Sequence, residues 1–370
     1  MVLAKWCIFA ETSCMFTQRR RYRYRLKPPM GLVFHARRRC SDGDSSLVRV
    51  SPNASVVPIE VGPLAADVDF LRRARVLASI DRCGGGVACL ESAALIHKIP
   101  YMATNPDVHL LVDRTCRKRL NLPSLKVGRT RLREAQVIRH EWVVPPHVER
   151  IGGVWVTSVE QTILDMLRLA PPADAVAFGC MALRKLVGFD RDDPKASYSA
   201  AQKVSARIYK RLRREYPPDR RFRQAERLLD LLTPAVDSVL EAVMVWVCYL
   251  AGLPRAKLQE RVWTGTGCRY IDAFYPQALV ALEFDGRIKL GFSAEAAMYE
   301  RTRQLHRDRE LESLGIHVVH VSSDEVGNFT VLVARLRREL FSLGVGDYAV
   351  RGWITTRMRS WRPRGSTGWF

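Results

Sequence analysis

Paired cysteines, grouped histidines and long apolar runs are all missing from this chain. Its nine cysteines, at positions 7, 14, 40, 83, 89, 116, 180, 248 and 268, contain no Cys-x-x-Cys pair and no Cys/His spacing of the zinc-finger kind, which argues against a sulfur-ligated metal cluster. An odd count without a framework fits reduced thiols and a cytoplasmic protein better than a disulfide scaffold. The eight histidines do not group. His317 and His320, three apart in IHVVHV, are expected to face opposite sides of a strand as ordinary sheet residues. No P-loop, GxGxxG, GxSxG or HExxH motif occurs, so nucleotide binding, serine hydrolysis and zinc-protease chemistry have no support. No window reaches about 18 uninterrupted apolar residues. The apolar stretch from Trp6 to Ala10 is cut short by Glu11, too soon for a signal-peptide core. Neither a membrane span nor secretion is expected.

Acid is the scarcer charge. Against 59 Lys plus Arg stand 38 Asp plus Glu, a formal net charge of +21, and such a surface favours polyanions, with DNA the expected partner. Part of the excess sits at the ends, in the runs Arg19 to Arg21 and Arg37 to Arg39 and in the acid-free stretch 351–370. The body is ordinary in composition, with 47% hydrophobic and 26% charged residues, as folded domains are. A length of 370 residues suggests two or three of them.

The pattern along the chain is that of an α/β (α+β) protein. Residues 1–60 alternate arginine-rich pieces with stretches such as SDGDSS and are expected to be a disordered basic extension. Residues 62–185 read as a mixed α/β domain. It has a helix ending near Asp81, a Cys-Gly-Gly-Gly break, a short helix in ESAALIHKI with His97 at its polar edge, and strands in DVHLLVD and GGVWVTSVE. A further helix opens after Thr157 and Ser158 and stops at Pro171. Residues 186–232 are dominated by charge and read as a helical connector, two helices parted by Pro217 and Pro218. Residues 233–343 carry the clearest pattern: a helix from Thr233-Pro234 to Gly252, then strands in KLQERVW, CRYIDAFY and LVALEFD forming a meander. A polar helix from Ser293 to Gly315, the strand IHVVHVS and a last helix complete an α-β-β-β-α-β-α order. Residues 344–370 form a basic tail.

The chemistry is concentrated in that last domain. Strand side chains alternate, so Glu283 and Asp285 in EFD share a face, and Asp272 on the neighbouring strand brings a third carboxylate toward them. Such convergence is costly unless a cation compensates. Hard oxygen ligands point to Mg²⁺ or Mn²⁺ held by Asp272, Glu283 and Asp285, able to activate water for phosphodiester hydrolysis. Glu241 on the first helix, with Asp237 before it, is a candidate further ligand. Lys289, past the strand, is a candidate for stabilising charge on phosphate. Arg307 is expected to bind phosphate and Asp308 to fix that arginine.

The segments DSVLEAVMVW, RYIDAFYP, VALEFDGRIKLG and RDRELESLGIHVVHV resemble an actinobacterial family with a C-terminal domain related to very-short-patch-repair endonucleases, within the PD-(D/E)XK superfamily. The resemblance covers about residues 234–325 and implies an αβββαβ restriction-endonuclease-like core. It also implies metal-binding catalytic roles for Asp272 and Glu283. Asp285 stands where the superfamily pattern has lysine, and Lys289 is a candidate replacement from the following turn. ACLESAALIHKIP with VWVTSVEQTILDMLRLAPPADAV is similar to type IV toxin–antitoxin antitoxins, which resemble DNA-binding repressors. The two resemblances lead to two expectations. One is a Mg²⁺-dependent DNA endonuclease in phage defence or repair. The other is an antitoxin-like DNA-binding regulator with an inactive nuclease fold and a cognate toxin as partner.

Overall fold

The computed structural model describes residues 64–103, 105–112, 120–127, 130–141, 145–285 and 294–346, with short strands at 32–34, 48–51 and 54–56. The chain divides into two compact units between Asp165 and Met166, and both are mixed assemblies of helix and strand. Among the described residues no helix is long and apolar enough to cross a membrane.

In the first unit, β1 (Leu32–Phe34), β2 (Val48–Ser51) and β3 (Ala54–Val56) form a small antiparallel sheet in the order β1-β3-β2. These three strands lie within the segment expected to be mostly disordered, and are short β-branched and apolar runs that find partner strands. The rest of that segment, and the tail beyond 346, lie outside the described residues. Helix α1 (Leu64–Arg82) packs Leu71, Ala74, Leu77 and Ala78 on Leu125, Leu132 and Val154. At its end Gly84, Gly85 and Gly86 all take positive φ, open to glycine at little steric cost. A Cβ on Gly86 would lie 3.3 Å from the Leu111 carbonyl oxygen. The chain then forms β4 (Val87–Ala88), α2 (Leu90–Ile96), β5 (Val108–Val112), β6 (Leu120–Leu122), β7 (Leu125–Val127), β8 (Thr130–Leu132), β9 (Ala135–Glu141), β10 (Val148–Ile151) and β11 (Val154–Thr157). Six of these strands make a mixed sheet in the order β10-β11-β4-β5-β9-β6, and β7 pairs with β8. Helix α3 (Val159–Leu169) contains the division between the units.

The second unit opens with α4 (Pro172–Val187), begun by proline and ended by Gly188 in the left-handed region. Helices α5 (Pro194–Glu215) and α6 (Arg220–Leu229) follow, N-capped by the Asp193 and Asp219 carboxylates. Both helices bury an apolar stripe: Ala201, Val204, Ile208 and Leu212 on α5, and Phe222, Ala225 and Leu228 on α6. They pack on each other and on α4. The segment read as a charged connector is therefore an integral part of this unit; its charges dominate the composition, while a helical stripe of apolar residues decides its packing.

Helix α7 (Val239–Leu250) starts later than Thr233-Pro234, the start expected from sequence. Its N-cap is Ser238, whose hydroxyl accepts the Glu241 N–H. Glu241 returns the contact by accepting from Ser238 Oγ and from the Asp237 N–H, each at 2.8 Å, a reciprocal arrangement close to a capping box. Asp237 is drawn outward into ion pairs with Arg184 and Arg191. Trp246 and Val247 are wholly buried, worth about 1.5–3 kcal/mol per large apolar side chain.

The sheet of this unit has the order β12-β13-β14-β15, formed by β12 (Lys257–Thr264), β13 (Gly267–Tyr275), β14 (Val280–Asp285) and β15 (His317–Ser322). The first three strands are antiparallel neighbours, as the meander expected from sequence requires, and β15 lies parallel to β14. Helix α8 (Ala294–Glu312) connects β14 to β15, and α9 (Phe329–Ser342) ends the unit. The run from Val280 to Glu283 is buried without interruption, the pattern of a strand covered on both faces.

Candidate carboxylate site in the second unit

The site forms where two strands part. The β13–β14 register runs Tyr275↔Val280, Phe274↔Ala281, Ala273↔Leu282 and then ends. One step further it would set Asp272 against Glu283. Instead the Asp272 carboxylate takes the ladder's place, its Oδ2 accepting the Phe284 N–H at 3.0 Å. On β12, Gln259 falls opposite Asp272, between the pairs Leu258↔Ala273 and Glu260↔Ile271. It has φ +51, a conformation costing of order 1 kcal/mol or more in a non-glycine residue. From there its amide donates to Asp272 Oδ1 at 3.2 Å and to Glu241 Oε2 at 3.0 Å. One amide thus bridges a helix carboxylate and a strand carboxylate.

Helix α8 supplies the opposite wall. Arg307 Nη2 donates to Glu283 Oε2 at 3.0 Å, whereas Glu283 Oε1 is buried with no hydrogen bond of ordinary geometry. Gln304 donates to Asp285 Oδ1 at 2.7 Å. His320, beside Glu283 in the parallel register, places Nδ1 3.1 Å from Asp285 Oδ2 and Nε2 3.0 Å from Asp308 Oδ2. At the far end of the helix, Glu310 accepts from Arg269 and Thr266 and so ties α8 to the β12–β13 hairpin.

The electrostatics follow from this wiring. Burial pushes Glu283 up to about 7, helped by the Asp272 charge, while Arg307 pulls the other way and loses. Burial raises Asp272 as well, against the Phe284 N–H. Glu241 is pushed up to about 7 by burial and by the Asp272 charge. Burial also works to raise Asp285, but the hydrogen bonds from His320 and Gln304 outweigh it and hold that carboxyl below the usual range. The Asp285 hydrogen bond is the main reason His320 rises to about 9. At neutral pH the site therefore pairs a charged His320 with an ionised Asp285, beside three carboxyls, Asp272, Glu283 and Glu241, whose ionisation is disfavoured.

The side chains expected from sequence meet here with changed roles. Asp272, Glu283 and Asp285 do share one neighbourhood. Among the described residues, however, no group of three or more Asp, Glu, His or Cys side chains is placed to hold a metal ion. Asp285 is drawn onto His320 and Gln304. Glu241 reaches the site through Gln259. Asp308 was expected to fix Arg307; instead it accepts from His320, and Arg307 is drawn to Glu283. Lys289 lies outside the described residues. Reading His320 as an ordinary sheet residue missed its two ion pairs, and Gln259 and Gln304 were not singled out. For His320 the available signal was its place inside the apolar run VVHV, but only the strand pairing names its partner.

The first unit contains a second polar cluster that sequence did not suggest. His109 Nδ1 and His140 Nε2 are 2.9 Å apart, and His109 Nε2 is 3.5 Å from a carboxylate oxygen of the half-buried Glu91. Burial pushes His109 down to about 4, so that ring sits neutral in the sheet at physiological pH. His97 is buried, not at a polar edge, with Nε2 2.7 Å from the Thr157 carbonyl oxygen.

Comparison with known protein families, curated proteins and solved structures finds no match for the chain.

Proposed function

We propose that the second unit is a metal-dependent DNA endonuclease of the PD-(D/E)XK kind, with the αβββαβ core and very-short-patch-repair-like site expected from its sequence, serving phage defence or DNA repair in the cytoplasm. The observation that carries this reading is the placement of the half-buried Asp272 and the buried Glu283 on strands that part at that level, where the Asp272 charge disfavours the ionised form of Glu283. Two carboxylates brought together out of water are costly unless a cation or a proton compensates. The donor set is all hard oxygen, which suits Mg²⁺ or Mn²⁺. Asp272 and Glu283 would hold the ion, and its chemistry would be to polarise phosphate and lower the pKa of water.

The chain's own residues supply the rest. Gln259 fixes the Asp272 carboxylate and shares its second donor position with Glu241, which orients solvent at the helix end. Arg307 is 43% exposed at its side chain, so it can swing from Glu283 to a phosphate oxygen when a cation takes over the carboxylate. Asp285 and Asp308 keep His320 charged beside the site. Cleavage of plasmid DNA by purified protein with Mg²⁺ or Mn²⁺, and its loss in Asp272→Asn and Glu283→Gln, is the test. Equal cutting by the Asp272→Asn variant sinks the proposal.

One observation favours a second reading. Arg307 and His320 already occupy the carboxylates that a metal would neutralise, and Asp285 stands in the usual lysine position. A regulator that keeps this fold as a scaffold, binding DNA and a cognate toxin in the antitoxin manner, would bind duplex identically with or without Asp272.

A further inference from the structure

The helical hairpin of α5 and α6 carries charge that nothing in the carboxylate site uses. On α5, Lys203, Arg207, Lys210 and Arg214 are all exposed and fall at positions i, i+4, i+7 and i+11, a single stripe along the helix. At 1.5 Å per residue that stripe is about 16 Å long. On α6, Arg220, Arg223 and Arg227 repeat the pattern at i, i+3 and i+7 and are equally exposed.

Acid nearby in sequence offsets it only in part. Between 195 and 227 the chain has only Glu215, Asp219 and Glu226, and each is engaged within the fold. Glu215 accepts from Arg211 and Arg214, Asp219 caps α6 through the Phe222 N–H, and Glu226 accepts from the Tyr209 hydroxyl. The stripe is also separate from the groove of about 1280 Å³ on the neighbouring face of α5, lined by Tyr198, Gln202 and Tyr209 and reaching Glu241 and Gln259.

We propose that this hairpin is a docking surface for the phosphodiester backbone of duplex DNA, contacting successive phosphates without reading bases. Charge complementarity with a polyanion names the occupant's chemistry, and the geometry narrows it. A membrane-surface helix inserts an apolar face, whereas here the apolar faces of both helices are buried inside the unit. Single strands are held by stacking on aromatic side chains, but the aromatics of α5 turn toward the groove, not onto the stripe. Rows of lysine and arginine at helical spacing suit a backbone that presents one phosphate per about 3.4 Å of axis on each strand. The choice of DNA over RNA rests on the proposed endonuclease reading; the phosphate contact itself does not.

The test is fluorescence anisotropy of a labelled mixed-sequence DNA duplex with the full chain in EDTA, across a salt series. The quadruple variant Lys203→Gln, Lys210→Gln, Arg220→Gln, Arg223→Gln should bind at least about tenfold more weakly, with a log–log salt slope smaller by about 3 to 4. A charge-keeping quartet, Lys203→Arg, Lys210→Arg, Arg220→Lys, Arg223→Lys, should bind as wild type, which separates charge from folding. Unchanged affinity and slope in the neutral quartet overturn the proposal, as does equal loss in the charge-keeping one. So does competition by poly-glutamate, phosphatidylserine vesicles or duplex RNA that matches or exceeds that of unlabelled DNA. A protein that binds through the hairpin but never cuts would sink the endonuclease reading alone, and one that cuts while ignoring the quartet would sink this surface alone.

Discussion

Replacing Glu283 by glutamine should make the protein more stable at alkaline pH while removing any metal-dependent activity. The carboxyl titrates at about 7 in the fold against an ordinary value of 4.5, because burial and the Asp272 charge disfavour its ionised form. Between those two values the folded chain holds a proton that the unfolded chain has released. Stability from this group is therefore complete below pH 4.5 and is lost as pH rises through about 7. Each pK unit is worth about 1.4 kcal/mol, so the loss amounts to about 3 kcal/mol by pH 8 and stays under about 1 kcal/mol at pH 5. Glutamine has nearly the same shape, can still accept from Arg307, and carries no charge to desolvate. Urea denaturation in EDTA, wild type beside Glu283→Gln, should show the variant ahead by about 2–3 kcal/mol at pH 8 and the gap closing toward pH 5. A variant less stable than wild type at both pH values, or a gap that does not shrink in acid, would mean that Glu283 is satisfied as it stands. The account of a strained carboxylate pair would then be wrong.

The other expectations are simpler. His320→Gln should lose about 1–2 kcal/mol of stability at pH 6, because the raised His320 value makes its contribution complete below pH 6.5 and lost as pH rises through about 9. A penalty that does not shrink by pH 10 in urea melts would contradict the Asp285–His320–Asp308 pairing. Arg307→Gln removes the cation that pulls Glu283 down, so carbon-detected NMR of the side-chain carboxyls should find Glu283 titrating above 7. Added Mg²⁺ should raise the melting temperature of wild type but not of the Asp272→Asn, Glu283→Gln pair; an equal rise in both would place the ion elsewhere. Asp219→Ala, which removes the acceptor 2.8 Å from the Phe222 N–H, should cost about 1 kcal/mol in chemical denaturation.

What the sequence by itself determined is local. Alternation in LVALEFD and RYIDAFY, the apolar helix AVMVWVCYL and the break at Gly315 were enough to write the element order of residues 233–343 and to put Glu283 and Asp285 on one strand, because periodicity needs only near neighbours. The same local view misjudged 186–232, where abundant charge hid the stripe that packs α5 and α6. It also put the start of α7 too early, since a Thr-Pro pair outweighed the reciprocal Ser238–Glu241 cap. Partner choice was decided by tertiary structure alone. The β13–β14 register ends at Ala273↔Leu282, which frees Asp272 to accept the Phe284 N–H, and the parallel placement of β15 brings His320 to Asp285. Residues 35 positions apart then meet, and Asp285 goes to a charged histidine while the half-buried Asp272 and the buried Glu283 contest one arginine. No window of sequence contains that contest, because its outcome depends on distances that exist only after the strands have paired.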